Sequence, residues 1–144
     1  MTRTAAARAP VHLWLVGVLA IAWNGFGCLD YAMTVTRDPA WMAPVPPAVV
    51  DWLDAAPVWA LAGWAFGVGG GLLGALLLVM RSRWAVHAFA LSLLGLAANQ
   101  AYLLLSPIPA AATLGDLALR LAIWTAALVQ FFYTARLRGR GALT

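Results

Sequence analysis

Four long apolar runs leave this chain few ways to fold: Val11 to Thr34, Val58 to Met80, Trp84 to Leu105 and Leu114 to Ala135. At about 1.5 Å of rise per helical residue, each is long enough to cross a hydrocarbon core of about 30 Å. They are too long and too continuous for the alternating strands of a membrane barrel. Together they produce a hydrophobic content of 64% against a charged content of 10%, a balance that excludes both a soluble globular domain and a disordered one. The expected fold is an all-α membrane protein: a four-transmembrane-helix bundle forming a single membrane domain over residues 1–144.

Net charge does not point to nucleic acid, although the formal charge is +4 and the pI near 10.2. The basic residues are all arginines, and Arg3, Arg8, Arg81, Arg83, Arg136, Arg138 and Arg140 stand at span ends. Basic residues collect on the cytoplasmic side of membrane proteins, so both termini and the turn after the second span are expected there. The segment 35–57 then faces outward, with Arg37 outnumbered by Asp38, Asp51 and Asp54. The first run is longer than a signal-peptide core, and Gly25, Phe26 and Gly27 before Cys28 lack the leucine of a lipoprotein cleavage site, so the run is expected to remain as a span. A single cysteine forms no intrachain disulfide, and Cys28 reads as a small packing residue.

The outer segment carries Pro39, Pro44, Pro46, Pro47 and Pro57, which rules out a long helix. One short interfacial helix is expected from Ala48 to Ala56, with Val49, Trp52, Leu53 and Ala56 on one face and Asp51 and Asp54 on the other. Its expected place is the outer membrane surface; a lid over a solute site is the sharper alternative. In the second span Gly63, Gly67 and Gly71 recur every four residues, with Gly70 and Gly74 as a second pair, a spacing that lets helices pack closely. No Lys follows Gly69, Gly70 and Gly71, so they are no phosphate loop. Trp14 and Trp84 suit the inner aromatic belt and Trp41, Trp52 and Trp59 the outer one, while Trp23, Trp64 and Trp124 read as helix-packing residues.

Arg120 lies inside the fourth run, and an arginine in a membrane span needs a partner or a purpose. Asp116 precedes it by one turn, in the favourable acid-then-base order. If each span starts level with its neighbours, Asn24, Asn99 and Arg120 all fall about 20 to 22 Å above the inner surface. Asp30 and Gln100 lie just above them, and Asp116 at the outer interface. Gln130 and Thr134 continue the polar face of the fourth span. Two readings stay open. In one, Arg120 pairs with Asp116 or Asp30 in an internal clasp that fixes helix register. In the other, Asn24, Asp30, Asn99, Gln100, Asp116 and Arg120 form a substrate-binding site, with a proton-coupled Asp30 as a variant.

Catalysis is not expected. His12 and His87 sit near inner helix ends, where they snorkel more readily than they ligate haem. Two histidines do not make a metal hydrolase, and Ser92, Ser106, Thr113 and Thr125 lack a histidine base at their depth. The chain therefore reads as a non-enzyme without cofactor or metal.

Three sets of residues carry a family resemblance: Trp23, Asn24 and Gly25 with Asp30, Tyr31 and Thr34; Pro57, Val58 and Trp59 with Gly70, Gly71 and Gly74; and Arg83, Trp84 and Ala85 leading into Ser92 to Gly95. Over spans one to three the chain resembles a small uncharacterised group of bacterial four-span inner-membrane proteins, some of which carry a sugar-transporter label. The resemblance implies a shared fold and a bacterial inner-membrane location. The leading functional expectation is a transporter or permeation subunit for a small polar solute, in a lipid bilayer and as a homo-oligomer or part of a larger membrane complex. Its alternative is a non-catalytic accessory or assembly subunit whose glycine ridge docks another membrane protein; an enzyme acting on lipids comes third.

Overall fold

The computed structural model describes residues 11–109 and 113–143, so Arg3 and Arg8 lie outside the described residues. The elements are α1 (Val11–Val35), α2 (Pro39–Met42), α3 (Pro47–Asp54), α4 (Val58–Val79), α5 (Ala85–Leu105) and α6 (Leu114–Gly139), with no strand among the described residues. Of these, α1, α4, α5 and α6 are long and apolar enough to cross a membrane. The chain is an integral, multi-pass membrane protein.

Local chemistry sets the helix boundaries. Pro46 and Pro57 occupy the positions before α3 and α4, where an extended proline ends the preceding segment and leaves the first helical turn free to start. Thr113 and Asp116 cap α6 reciprocally, and α6 continues about a turn past the expected Ala135, with Arg136 and Arg138 beside its negative end. Both α1 and α4 end with an arginine in the left-handed region, Arg37 at φ 56° and Arg81 at φ 60°. That turn lets Asp38 N–H reach Met33 O at 3.0 Å and Ser82 N–H reach Leu77 O at 2.8 Å, closing each helix on its own last carbonyls.

α4 is the spine of the bundle, with α1 on one side and α5 on the other; α6 leans on α5 and is tied to α1 by side chains. The glycines of α4 make this possible. A Cβ added at Gly63 would meet Ala98 and the backbone of Gly95 and Asn99, one at Gly70 the backbone of Ala88 and Ser92, and one at Gly74 the ring of Phe89. From the other side, a Cβ at Gly95 would collide with the backbone of Gly63, Phe66 and Gly67. Backbone cannot move aside as a side chain can, so α4 and α5 touch at a separation that only glycine at these crossings permits. Gly63, Gly67, Gly70 and Gly74 of the ridge face α5 and are covered by it, while Gly71 turns toward Asn24 of α1.

These contacts also fix the helix register. Gly17 faces Val79, Gly27 faces Val68, and Asn24 lies against Gly71, whereas Asn99 lies against Gly63. Gly63 and Gly71 are two turns apart on one helix, so Asn24 and Asn99 differ in depth by about 12 Å rather than sharing a level. The equal-start assumption fails at α1. Its Gly17, not its Val11, stands level with the end of α4, so α1 begins about 9 Å beyond the last residue of α4, alongside the α4–α5 turn.

The two ends of the bundle are filled differently. At the turn end, which carries residues 80–84, Leu13, Ala20, Ala75, Leu78, Ala85 and Phe89 form one buried cluster with Leu137, Ala142 and Leu143. Arg81 Nε and Nη2 both donate to Ala142 O at 3.2 Å, holding the segment after α6 beneath that cluster. At the loop end, which carries α2 and α3, the helices enclose space instead.

Candidate functional site

Two adjoining cavities occupy the loop-end half. The inner one, about 250 Å³, lies among all four long helices and is lined by Asn24 and Asp30 of α1, Trp64 and Val68 of α4, Ser92 and Asn99 of α5, and Leu119, Ile123 and Ala127 of α6. The outer one, about 700 Å³, lies between the helix ends and the α2–α3 segment. Asp30, Trp64 and Asn99 line both, and so form the boundary between them. The combined size is that of a small-molecule site.

The α2–α3 segment is the roof of the outer cavity. Val49, Trp52, Leu53 and Ala56, the expected apolar face of the short helix, line this cavity. Directional bonds hold the roof at both sides. Trp41 Nε1 donates to Asp30 Oδ1 at 3.1 Å, and Trp52 Nε1 donates to Ser106 O at 3.0 Å and Oγ at 3.1 Å. Arg37 pairs with Asp54 and also donates from Nη1 to Thr34 O at 2.6 Å. The Trp52 ring packs on Tyr102 with centroids 5.1 Å apart, and Trp59 meets Tyr102 edge-on at 5.8 Å. Tyr31 buttresses Trp64 edge-on at 5.1 Å.

Of the six residues that the sequence singles out, Asn24, Asp30 and Asn99 come together around the inner cavity. Gln100, Asp116 and Arg120 line neither cavity. Arg120 is half-buried and makes no hydrogen bond or ion pair among the described residues. Its expected carboxylate partners are engaged elsewhere. Thr113 donates to Asp116 Oδ2 through both its backbone N–H and its hydroxyl, each at 2.8 Å, while Asp30 accepts from Trp41. A cap formed within one turn orders fewer rotatable bonds than a bridge to a long arginine four residues on, so the local bond prevails.

A different clasp joins the helices. Asn24 Nδ2 donates to Gln130 Oε1 at 2.9 Å and to Ala20 O at 2.8 Å. Gln130 is buried, and its backbone carbonyl accepts from Thr134 Oγ1 at 2.7 Å. The absence of a side chain on Gly71 makes the space that the Asn24 amide fills. Beside it, the Ser92 hydroxyl donates to Gly67 O across the α4–α5 interface. This layer is the floor of the inner cavity. Further toward the turn end, His12 Nδ1 lies 2.6 Å from Tyr133 Oη, whereas His87 packs on Trp84, so the two histidines do not face each other.

The polar groups at the boundary are differently placed. Asp30 uses one carboxylate oxygen on Trp41, and neither its other oxygen nor the Asn99 amide has a protein partner among the described residues. Both residues are half-buried and line the cavities, so these groups can serve a bound molecule. The roof tryptophans, Trp64 and Tyr102 complete the site. Sequence reading assigned the tryptophans to interfacial belts or helix packing, because an indole that anchors to lipid and one that lines a cavity look alike in a single chain.

Comparison with protein-family models, curated proteins and solved structures finds no match. The functional reading therefore rests on the cavities.

Proposed function

We propose that this chain is a transporter or permeation subunit for a small solute in a bacterial inner membrane, with both termini cytoplasmic. The observation that carries the reading is the pair of adjoining cavities, with unshared polar groups of Asp30 and Asn99 at their boundary. The arginines at the turn end and after α6 support the orientation, which places the roofed cavity outside. Resemblance of the first three spans to proteins with a sugar-transporter label agrees with a polar solute. The solid turn end favours passage by helix movement, or by cooperation with a second copy, over a fixed channel.

The accessory-subunit reading needs a free docking ridge, and Gly63, Gly67, Gly70 and Gly74 are covered by α5 and Gly71 chiefly by Asn24 of α1. The test is binding and flux with the protein reconstituted in liposomes. A transported solute should raise the unfolding temperature of the wild type, and Asn99→Ala should lose that increase along with uptake while still folding. A panel of sugars, amines and carboxylates that neither binds nor crosses would refute the reading.

A further inference from the structure

We propose that the solute is an organic ammonium cation carrying apolar bulk, held with its charge against Asp30 and its body against the aromatic walls of the outer cavity. This rests on the small-solute reading above and specifies its ligand. The first argument is charge. Among the described residues Asp30 is the acidic residue lining the two cavities, and no arginine, lysine or histidine lines either. The ion pair among the described residues is Arg37 with Asp54, so the Asp30 carboxylate has no cationic counterpart among them. A carboxylate in a wall of low polarity favours a ligand that brings the opposite charge and disfavours an anion.

The walls supply the second argument. Trp41, Trp52, Trp64 and Tyr102 line the outer cavity together with aliphatic Val45, Val49, Leu53 and Leu103. Aromatic faces attract alkylammonium groups, which have no need of strong hydrogen bonds, and the aliphatic side chains accept the rest of such a molecule. A bare divalent metal fits poorly, because calcium takes six or more oxygen ligands and the boundary offers one carboxylate and one amide.

A neutral sugar is the main competitor, since it too stacks on tryptophan. Two indole N–H groups that would serve its hydroxyls are already bonded, Trp41 to Asp30 and Trp52 to Ser106. It would also leave the Asp30 charge without a counter-ion. A cation meets both conditions and uses the carboxylate oxygen that Trp41 leaves free.

The experiment is titration calorimetry on the full chain in lipid nanodiscs with four probes: choline, its uncharged carbon isostere 3,3-dimethylbutan-1-ol, benzyltrimethylammonium and glucose. Choline should bind about tenfold or more tightly than the isostere, and benzyltrimethylammonium more tightly than choline. Asp30→Asn retains an oxygen for Trp41 and removes the charge; it should cut the preference for choline over the isostere to the few-fold that the aromatic faces supply, through weaker choline binding far more than through any change in isostere binding. Trp64→Leu should weaken benzyltrimethylammonium while keeping the choline preference. Equal binding of choline and the isostere by the wild type, or glucose binding without either cation, would overturn the cation assignment and leave the transport reading standing. Failure of all four probes, together with the wider panel above, would remove both.

Discussion

The turn end and the loop end of this bundle are built from the same helices and solve opposite problems. At the turn end Leu13, Leu78 and Phe89 are fully buried and the segment after α6 folds beneath them. At the loop end equally bulky residues, Trp41, Trp52, Trp64 and Tyr102, stand around space. Lipid tails are as apolar as leucine, so helices in a membrane gain little by hiding apolar side chains and associate through close packing and polar contacts. A hollow half is tolerable only because a tightly packed half and the α4–α5 crossing hold the helices in register. The difference separates residues that hold the helices together from residues free to meet a ligand.

The contrast can be broken most directly at Phe89. Its ring is buried in the turn-end cluster, and Phe89→Ala should destabilise the protein by about 3–5 kcal/mol, read as a lowered unfolding midpoint in lipid or detergent. A loss no larger than that of a roof variant would mean that the two halves are not energetically distinct. Gln130→Ala probes the layer between them. Losing the bond to Asn24 should destabilise by about 1 kcal/mol and speed amide hydrogen exchange in α6 more than in α4 or α5. The smallest effect is expected at the roof. Trp52→Phe keeps a ring on Tyr102 but removes the bonds to Ser106, and should lower stability by about 0.5 kcal/mol while raising protease access between residues 43 and 57. Uniform protease resistance in that variant would show that the Ser106 bonds do not hold the roof.

The spans were legible because length and hydropathy report directly on a helix that must cross lipid, and each observed boundary lies within about a turn of the expected one. The short helix was visible from its prolines. The candidate site was legible only in part. Asn24, Asp30 and Asn99 stood out as polar residues in apolar runs, and all three line the inner cavity. Arg120 drew attention for the same reason and lies outside both cavities. A clue was available at Thr113, since Thr113 and Asp116 have capping-box spacing and the carboxylate was committed to its own helix end. The pairing of Asn24 with Gln130 could not be read. It depends on how far α1 begins beyond the end of α4, which follows from the contacts of Gly17 and Gly71 and from no local pattern.

The turn-end cluster also imposes an order on synthesis. Leu13 emerges from the ribosome early, whereas Leu137, which shares its cluster, emerges with the last turn of the fourth span, and Ala142 and Leu143 only after it. The α4–α5 hairpin, whose contacts are close in sequence, can form first and stand as a template. Throughout that interval α1 is held chiefly by its glycine contacts with α4, with the bonds from Asn24 to Gln130 and from His12 to Tyr133 still unmade. An incomplete nascent chain is therefore a three-helix intermediate with an open seam. Arrival of α6 closes the seam, and the Arg81 bond to Ala142 is then the latch that finishes assembly.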